Sequence, residues 1–200
     1  MLFIIIRIIF LSIVFLVSFL LVRKSRIINK FRWSVVAFVI ATVITTISAL
    51  IPIENAFITF SSPESAYSYK NYGDVKLVVD GEKSDFVVGA KDDTDNYLII
   101  PRSNDGWKLG MGLDTKRVYQ TVSDGITIYV YQYKNTDDYY ITVLDTNGGF
   151  SDITDNRNSI FKYSEKQNST LDTTFYTYYA YINNFNEQYV LSVNGNLIKL

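Results

Sequence analysis

The sequence predicts a membrane α-hairpin of two transmembrane helices followed by a mainly-β extracytoplasmic domain, an antiparallel sheet or sandwich that begins with one short helix. Three observations carry that expectation. Two apolar runs, Leu2 to Val22 and Trp33 to Ile53, flank a short basic segment, Arg23 to Arg32. All 20 acidic side chains lie after residue 53, against 13 of the 19 basic ones, so the longer part has a net charge of −7. From Asp74 onward the chain alternates short β-prone runs with turn dipeptides.

The helices come first. Each apolar run, as a helix rising about 1.5 Å per residue, would be roughly 31 Å long and match a hydrocarbon core. Arg7 lies about two turns into the first and reads as a side chain snorkelling to the near interface. Five basic residues in the loop 23–32 place that loop in the cytoplasm and both termini outside, a multi-pass arrangement in the cytoplasmic membrane with the lipid bilayer as its first partner. In the second run Ala37, Ala41, Thr45 and Ala49 recur every four residues, a small-residue stripe suited to close helix packing. The helical hairpin thus covers 1–53, a linker covers 54–61, and the β-rich domain covers 62–200.

That domain opens on Ser62-Pro63-Glu64, which has the chemistry of a helix start: a capping hydroxyl, proline at the first helical position, and a carboxylate at the positive end of the dipole. Strands follow. Lys76 to Asp80 and Ser84 to Val88 flank Asp80-Gly81, and Asn96 to Ile100 ends at Pro101. Arg117 to Val122, Ile126 to Lys134 and Tyr139 to Asp145 continue the series. Thr173 to Ile182 is expected to pair with Gln188 to Val193, and Asn194-Gly195 closes a tight hairpin onto Leu197 to Leu200. Asn147 to Asn158, rich in Gly, Asp and Asn, reads as a long mobile loop.

Composition bounds the chemistry. With no Cys and no His, thiol and imidazole catalysis and His or Cys metal sites are excluded. A Cys-free exported domain rich in Lys, Asn, Ile and Tyr points to a bacterial host. Acidic turns such as Asp92-Asp93-Thr94-Asp95 and Asp145 to Gly148 lack a calcium-loop pattern, and no metal or cofactor is expected. Ser159-Ile160-Phe161-Lys162 matches S-x-x-K, but in an extended segment the two side chains are expected on opposite faces. The acidic domain is a poor partner for nucleic acid.

All 16 tyrosines lie after Ser65. In the strand from Ile126, alternation puts Ile126, Ile128 and Val130 on one face and Tyr129, Tyr131 and Tyr133 on the other. Those three tyrosines are the candidate ligand face; the competing expectation is plain cross-strand packing. The function expected is therefore recognition without catalysis: a membrane-anchored protein presenting a β-rich domain to a protein, peptide or envelope ligand. The alternative is a regulatory or self-protection subunit acting on a membrane-protein partner through the stripe of Ala37, Ala41, Thr45 and Ala49.

Overall fold

The structure, a computed structural model, describes residues 2–24, 30–70, 73–91, 94–111, 113–168 and 173–200. The chain divides into two units, Met1–Ile58 with Tyr69–Asn71, and Thr59–Ser68 with Tyr72–Leu200.

In the first unit, α1 (Leu2–Lys24) and α2 (Lys30–Leu50) pack on each other, and a 3-10 turn follows at Ile53–Ala56. Arg23 and Lys24 complement the negative end of α1. Ala41 is buried and Ala37 half-buried, whereas the side chains of Thr45 and Ala49 lie outside the described residues. Other apolar side chains, among them Ile9, Phe15, Phe38 and Val39, are exposed.

Among the described residues no helix is long and apolar enough to cross a membrane. This corrects the two-helix membrane hairpin and, with it, the multi-pass placement in the cytoplasmic membrane and the orientation of the termini. Arg7 does not snorkel. Its guanidinium grips the buried Glu54 carboxylate, Nε to Oε1 at 3.2 Å and Nη2 to Oε2 at 3.4 Å, and so ties the 3-10 turn to α1.

The second unit starts with α3 (Pro63–Tyr69), whose first turn is held as its sequence demands: the Ser65 N–H donates to Ser62 Oγ at 3.2 Å. Among the described residues twelve strands follow in three antiparallel sheets. The first has the order β1 (Asp74–Asp80), β2 (Ser84–Lys91), β3 (Thr94–Ser103), β4 (Gly106–Trp107). The second is β5 (Thr115–Ser123), β6 (Ile126–Tyr133), β7 (Asp138–Asp145), β10 (Thr173–Asn183), β9 (Lys162–Asn168). The third is β12 (Asn196–Lys199), β11 (Val190–Val193), β8 (Ile153–Asp155).

The five-stranded sheet is the middle layer, and strand alternation sorts its two faces by chemistry. Ile128 and Val130 of β6, Ile141 and Val143 of β7 and Ala180 and Ile182 of β10 meet Ile153, Leu191 and Val193 of the third sheet. On the other face Tyr131 and Tyr133 of β6, Tyr140 of β7 and Tyr179 of β10 meet Val79, Phe86, Val88 and Ile99 of the first sheet. Register enforces the sorting: Val130 opposes Ile141, and Tyr131 opposes Tyr140. Each of the buried Val, Leu, Ile and Phe side chains contributes about 1.5–3 kcal/mol of hydrophobic stabilisation. Tyrosine is tolerated inside because its hydroxyls find acceptors. Tyr140 donates to the Ser84 carbonyl at 2.7 Å, Tyr181 to Asp138 at 3.2 Å and Tyr189 to Asp155 at 2.7 Å.

Three strand assignments need correction. β10 pairs with β7 and β9, not with β11, which lies in the third sheet. The segment 147–158 is not a free loop: Ser151 is buried, its hydroxyl held by Asp145, and β8 lies within it. β3 runs past Pro101 to Ser103, because Pro101 sits opposite the first residue of β2, at the end of the ladder, where its missing N–H costs little. The Asn194-Gly195 turn is as expected, with φ of +51° and +82° in the left-handed region that this hairpin type requires.

Candidate aromatic–cationic cleft

Two buried carboxylates organise the β1–β2 turn, Asp85 from within the first sheet and Asp138 from the middle one. Asp85, fully buried, accepts from Arg102 Nε at 3.0 Å and Nη2 at 2.6 Å, and from Trp107 Nε1 and the Gly81 N–H. Asp138, at the start of β7, accepts from the Lys83 N–H at 2.7 Å and Ser84 Oγ at 3.0 Å. The Asp85 bonds brace the first sheet internally, and the Asp138 bonds tie that sheet to the start of β7 in the middle one.

Where the sheets diverge, a cleft of about 420 Å³ opens between β3 and β5. Tyr97 and Ile99 form one wall, Thr115 and Arg117 the other, with Met111 at the rim and Tyr131 as the floor. Tyr97 stacks on the buried Phe86, ring centroids 5.2 Å apart, and its hydroxyl donates to that of Tyr131 at 2.9 Å. Burial, then this hydrogen bond, pushes the Tyr131 hydroxyl well above the usual tyrosine range. It is a neutral hydroxyl whose hydrogen-bond partner is the Tyr97 hydroxyl.

Arg117 stands opposite Tyr131 in the β5–β6 register, next to a bulge that shifts the pairing between Arg117 and Tyr119. Bulges re-aim side chains, and here the Arg117 guanidinium lies over the Tyr129 ring at 5.6 Å. Among the described residues no carboxylate pairs with it. Among the described residues β5 is also an edge strand, bonded only to β6, so alternate backbone N–H and C=O groups along it face outward. The cleft thus offers a guanidinium, a neutral hydroxyl, aromatic walls and an open strand edge: a site rich in donors for a ligand rich in acceptors.

The three tyrosines expected as an exposed face are distributed differently. Tyr131 and Tyr133 are buried and Tyr129 is half-buried. The first sheet covers that face, so the trio does not form an open platform; only Tyr131, and Tyr129 through Arg117, reach the cleft. Aromatic rings are exposed instead at Phe150, 64 % accessible, and Tyr163, 50 % accessible, which meet edge to face at 5.4 Å and both contact Tyr176. Tyr97, Met111 and Phe150 went unread because none lies in a patterned tyrosine run. The one usable signal was the adjacency of Lys116 and Arg117 in a strand of otherwise neutral residues.

Of the acidic turns, Asp92 and Asp93 lie outside the described residues, and Asp145 is consumed by the Ser151 hydroxyl and the Asn147 N–H. Among the described residues no group of three or more acidic side chains is placed to hold a metal ion. Comparison with known proteins finds no matching family model, no matching curated protein and no matching solved structure. The functional reading therefore rests on the geometry of the chain itself.

Proposed function

We propose that the β-rich unit is a binding module, not a catalyst, and that it takes an extended acidic segment of a partner protein along β5, with a side chain of that segment entering the Tyr97–Tyr131 cleft. The observation that carries this reading is the Arg117 guanidinium, stacked on Tyr129 at the cleft mouth and facing no carboxylate among the described residues. Lys116, exposed beside it, adds a second positive charge to an otherwise acidic unit. An acidic strand satisfies both cations, and main-chain bonds to an edge strand supply sequence-tolerant affinity while the cleft selects the side chain. The absence of Cys and His from the chain favours binding over chemistry.

The test is a titration of the full chain with a short extended peptide alternating Glu with Val and Tyr, read by NMR shifts of β5 amides. The reading expects saturable binding that weakens with salt and drops roughly tenfold or more in Arg117→Glu. Equal binding of a Lys-for-Glu control peptide, or unchanged affinity in Arg117→Glu, contradicts it.

A further inference from the structure

A second cleft, of about 520 Å³, lies on a different part of the β unit, between β1, the end of β10 and the segment that leads from β8 into β9. Arg157, Ser159 and Lys162 line it together with Ile160, Asp80 and Asn183. The S-x-x-K residues therefore share one cleft. Ser159 precedes β9 and escapes the strand alternation that would have turned it away from Lys162.

The segment that carries Arg157 is pinned from both sides. Asp155 Oδ1 accepts the Arg157 N–H at 3.0 Å and the Ser159 N–H at 2.8 Å, while Oδ2 accepts the Tyr189 hydroxyl. Asn156 adds three bonds to the β11 side: its N–H to the Val190 carbonyl, its Nδ2 to the Gln188 carbonyl and its Oδ1 from the Val190 N–H. This rigid support holds up a guanidinium whose own partner is one amide oxygen, Asn186 Oδ1 at 3.3 Å. Most of its five N–H donors meet no acceptor among the described residues. Lys162 Nζ reaches the Val78 carbonyl and Asp80 Oδ2 at 3.3 Å, and Asp80 is shared with Arg102 at 3.5 Å. The cleft lining thus carries two cations against one shared carboxylate.

We infer that this cleft binds a phosphorylated sugar or polyol, the phosphate held by Arg157, Lys162 and the Ser159 hydroxyl. Two cations plus a hydroxyl match a dianionic tetrahedral group. The space exceeds what a bare oxyanion fills, and the remaining groups are acceptors for hydroxyls: the Asp80 carboxylate, and Asn183 Oδ1, left open because Asn183 Nδ2 donates to Glu82 at 2.9 Å. Ile160, 81 % exposed, supplies an apolar edge for the carbon skeleton.

Calorimetric titration of the full chain with glycerol 3-phosphate, inorganic phosphate and glycerol tests it. Glycerol 3-phosphate binds saturably and more tightly than inorganic phosphate, glycerol alone does not bind, and Arg157→Gln weakens both phosphates roughly tenfold or more. Asn183→Ala weakens glycerol 3-phosphate but spares inorganic phosphate. Arg117→Glu changes none of this, which separates this site from the peptide cleft. Lack of saturable binding by the wild type, or equal binding in an Arg157→Gln protein with unaltered melting temperature, overturns the inference.

Discussion

Asp85 shows how much a single buried carboxylate can organise. It gathers Arg102, Trp107 and the Gly81 N–H at the corner where the first sheet crosses the middle one. Replacing it with alanine strands the Trp107 and Gly81 donors and removes the counter-charge of Arg102. The expected cost is about 3 kcal/mol in urea-induced unfolding, given roughly 1–3 kcal/mol for each buried group left unsatisfied. Asp80→Ala is the control: that carboxylate is 67 % exposed, and its loss should cost little. Neither role was readable in the sequence, where Asp80 and Asp85 are two acids flanking one turn. Only the register with Asp138 and Tyr140, more than fifty residues on, tells the buried one from the exposed one. Local chemistry, by contrast, was legible: the Ser62 cap and the Asn194-Gly195 turn depend on adjacent residues alone.

At the scale of elements, short-range pairings were legible and long-range ones were not. The hairpins β1–β2, β6–β7 and β11–β12 follow from alternation and turn residues within a dozen positions. The partner of β10 did not follow, because β7 and β9 compete with β11 for the same strand and only packing decides. β9 itself, Lys-Tyr-Ser-Glu-Lys-Gln-Asn, carries too little apolar content to announce a strand. In the helical unit the decisive feature was a contact across 47 residues, Arg7 to Glu54, which no hydropathy pattern encodes. Arg7→Ala leaves the Glu54 carboxylate buried and uncompensated, so the helical unit should lose several kcal/mol. Adding Glu54→Gln to Arg7→Ala should restore much of that loss, since the stranded charge is gone. A double variant as unstable as Arg7→Ala alone would refute the ion pair as the tie between the turn and α1; thermal melts of the three proteins decide.

Across the whole β-rich unit the arrangement is a three-layer stack in which one face of the middle sheet is mainly aliphatic and the other mainly tyrosine. Alternation along β6 revealed both faces, yet it could not say that both are covered, because a tyrosine face is equally suited to water and to a packed interior. The stack has a consequence at high pH. Burial raises the Tyr140, Tyr179 and Tyr189 hydroxyls above the ordinary tyrosine value, most strongly in the first and last. In the unfolded chain they ionise near pH 10, while in the folded chain they keep their protons, so the unfolded state binds fewer protons and stability falls as pH rises. Their full contribution is present below pH 10. Above it, each such tyrosine removes about 1.4 kcal/mol per pH unit until its folded value is passed. Tyrosinate absorbance and loss of circular dichroism should therefore rise together above pH 10; buried tyrosines that ionise smoothly while the β signal persists would contradict the stack.

The most direct test compares two tyrosines that a sequence cannot rank. Tyr131 lies between sheets as the floor of the proposed peptide cleft, and Tyr163 stands half exposed at the β9 edge. Urea unfolding of Tyr131→Ala should show a loss of about 3 kcal/mol, as for other large-to-small changes in a packed interior. Tyr163→Ala should stay within about 1 kcal/mol of the parent. Equal, small losses from both would mean that the tyrosine face is open to water, and the layered architecture with its cleft would be wrong.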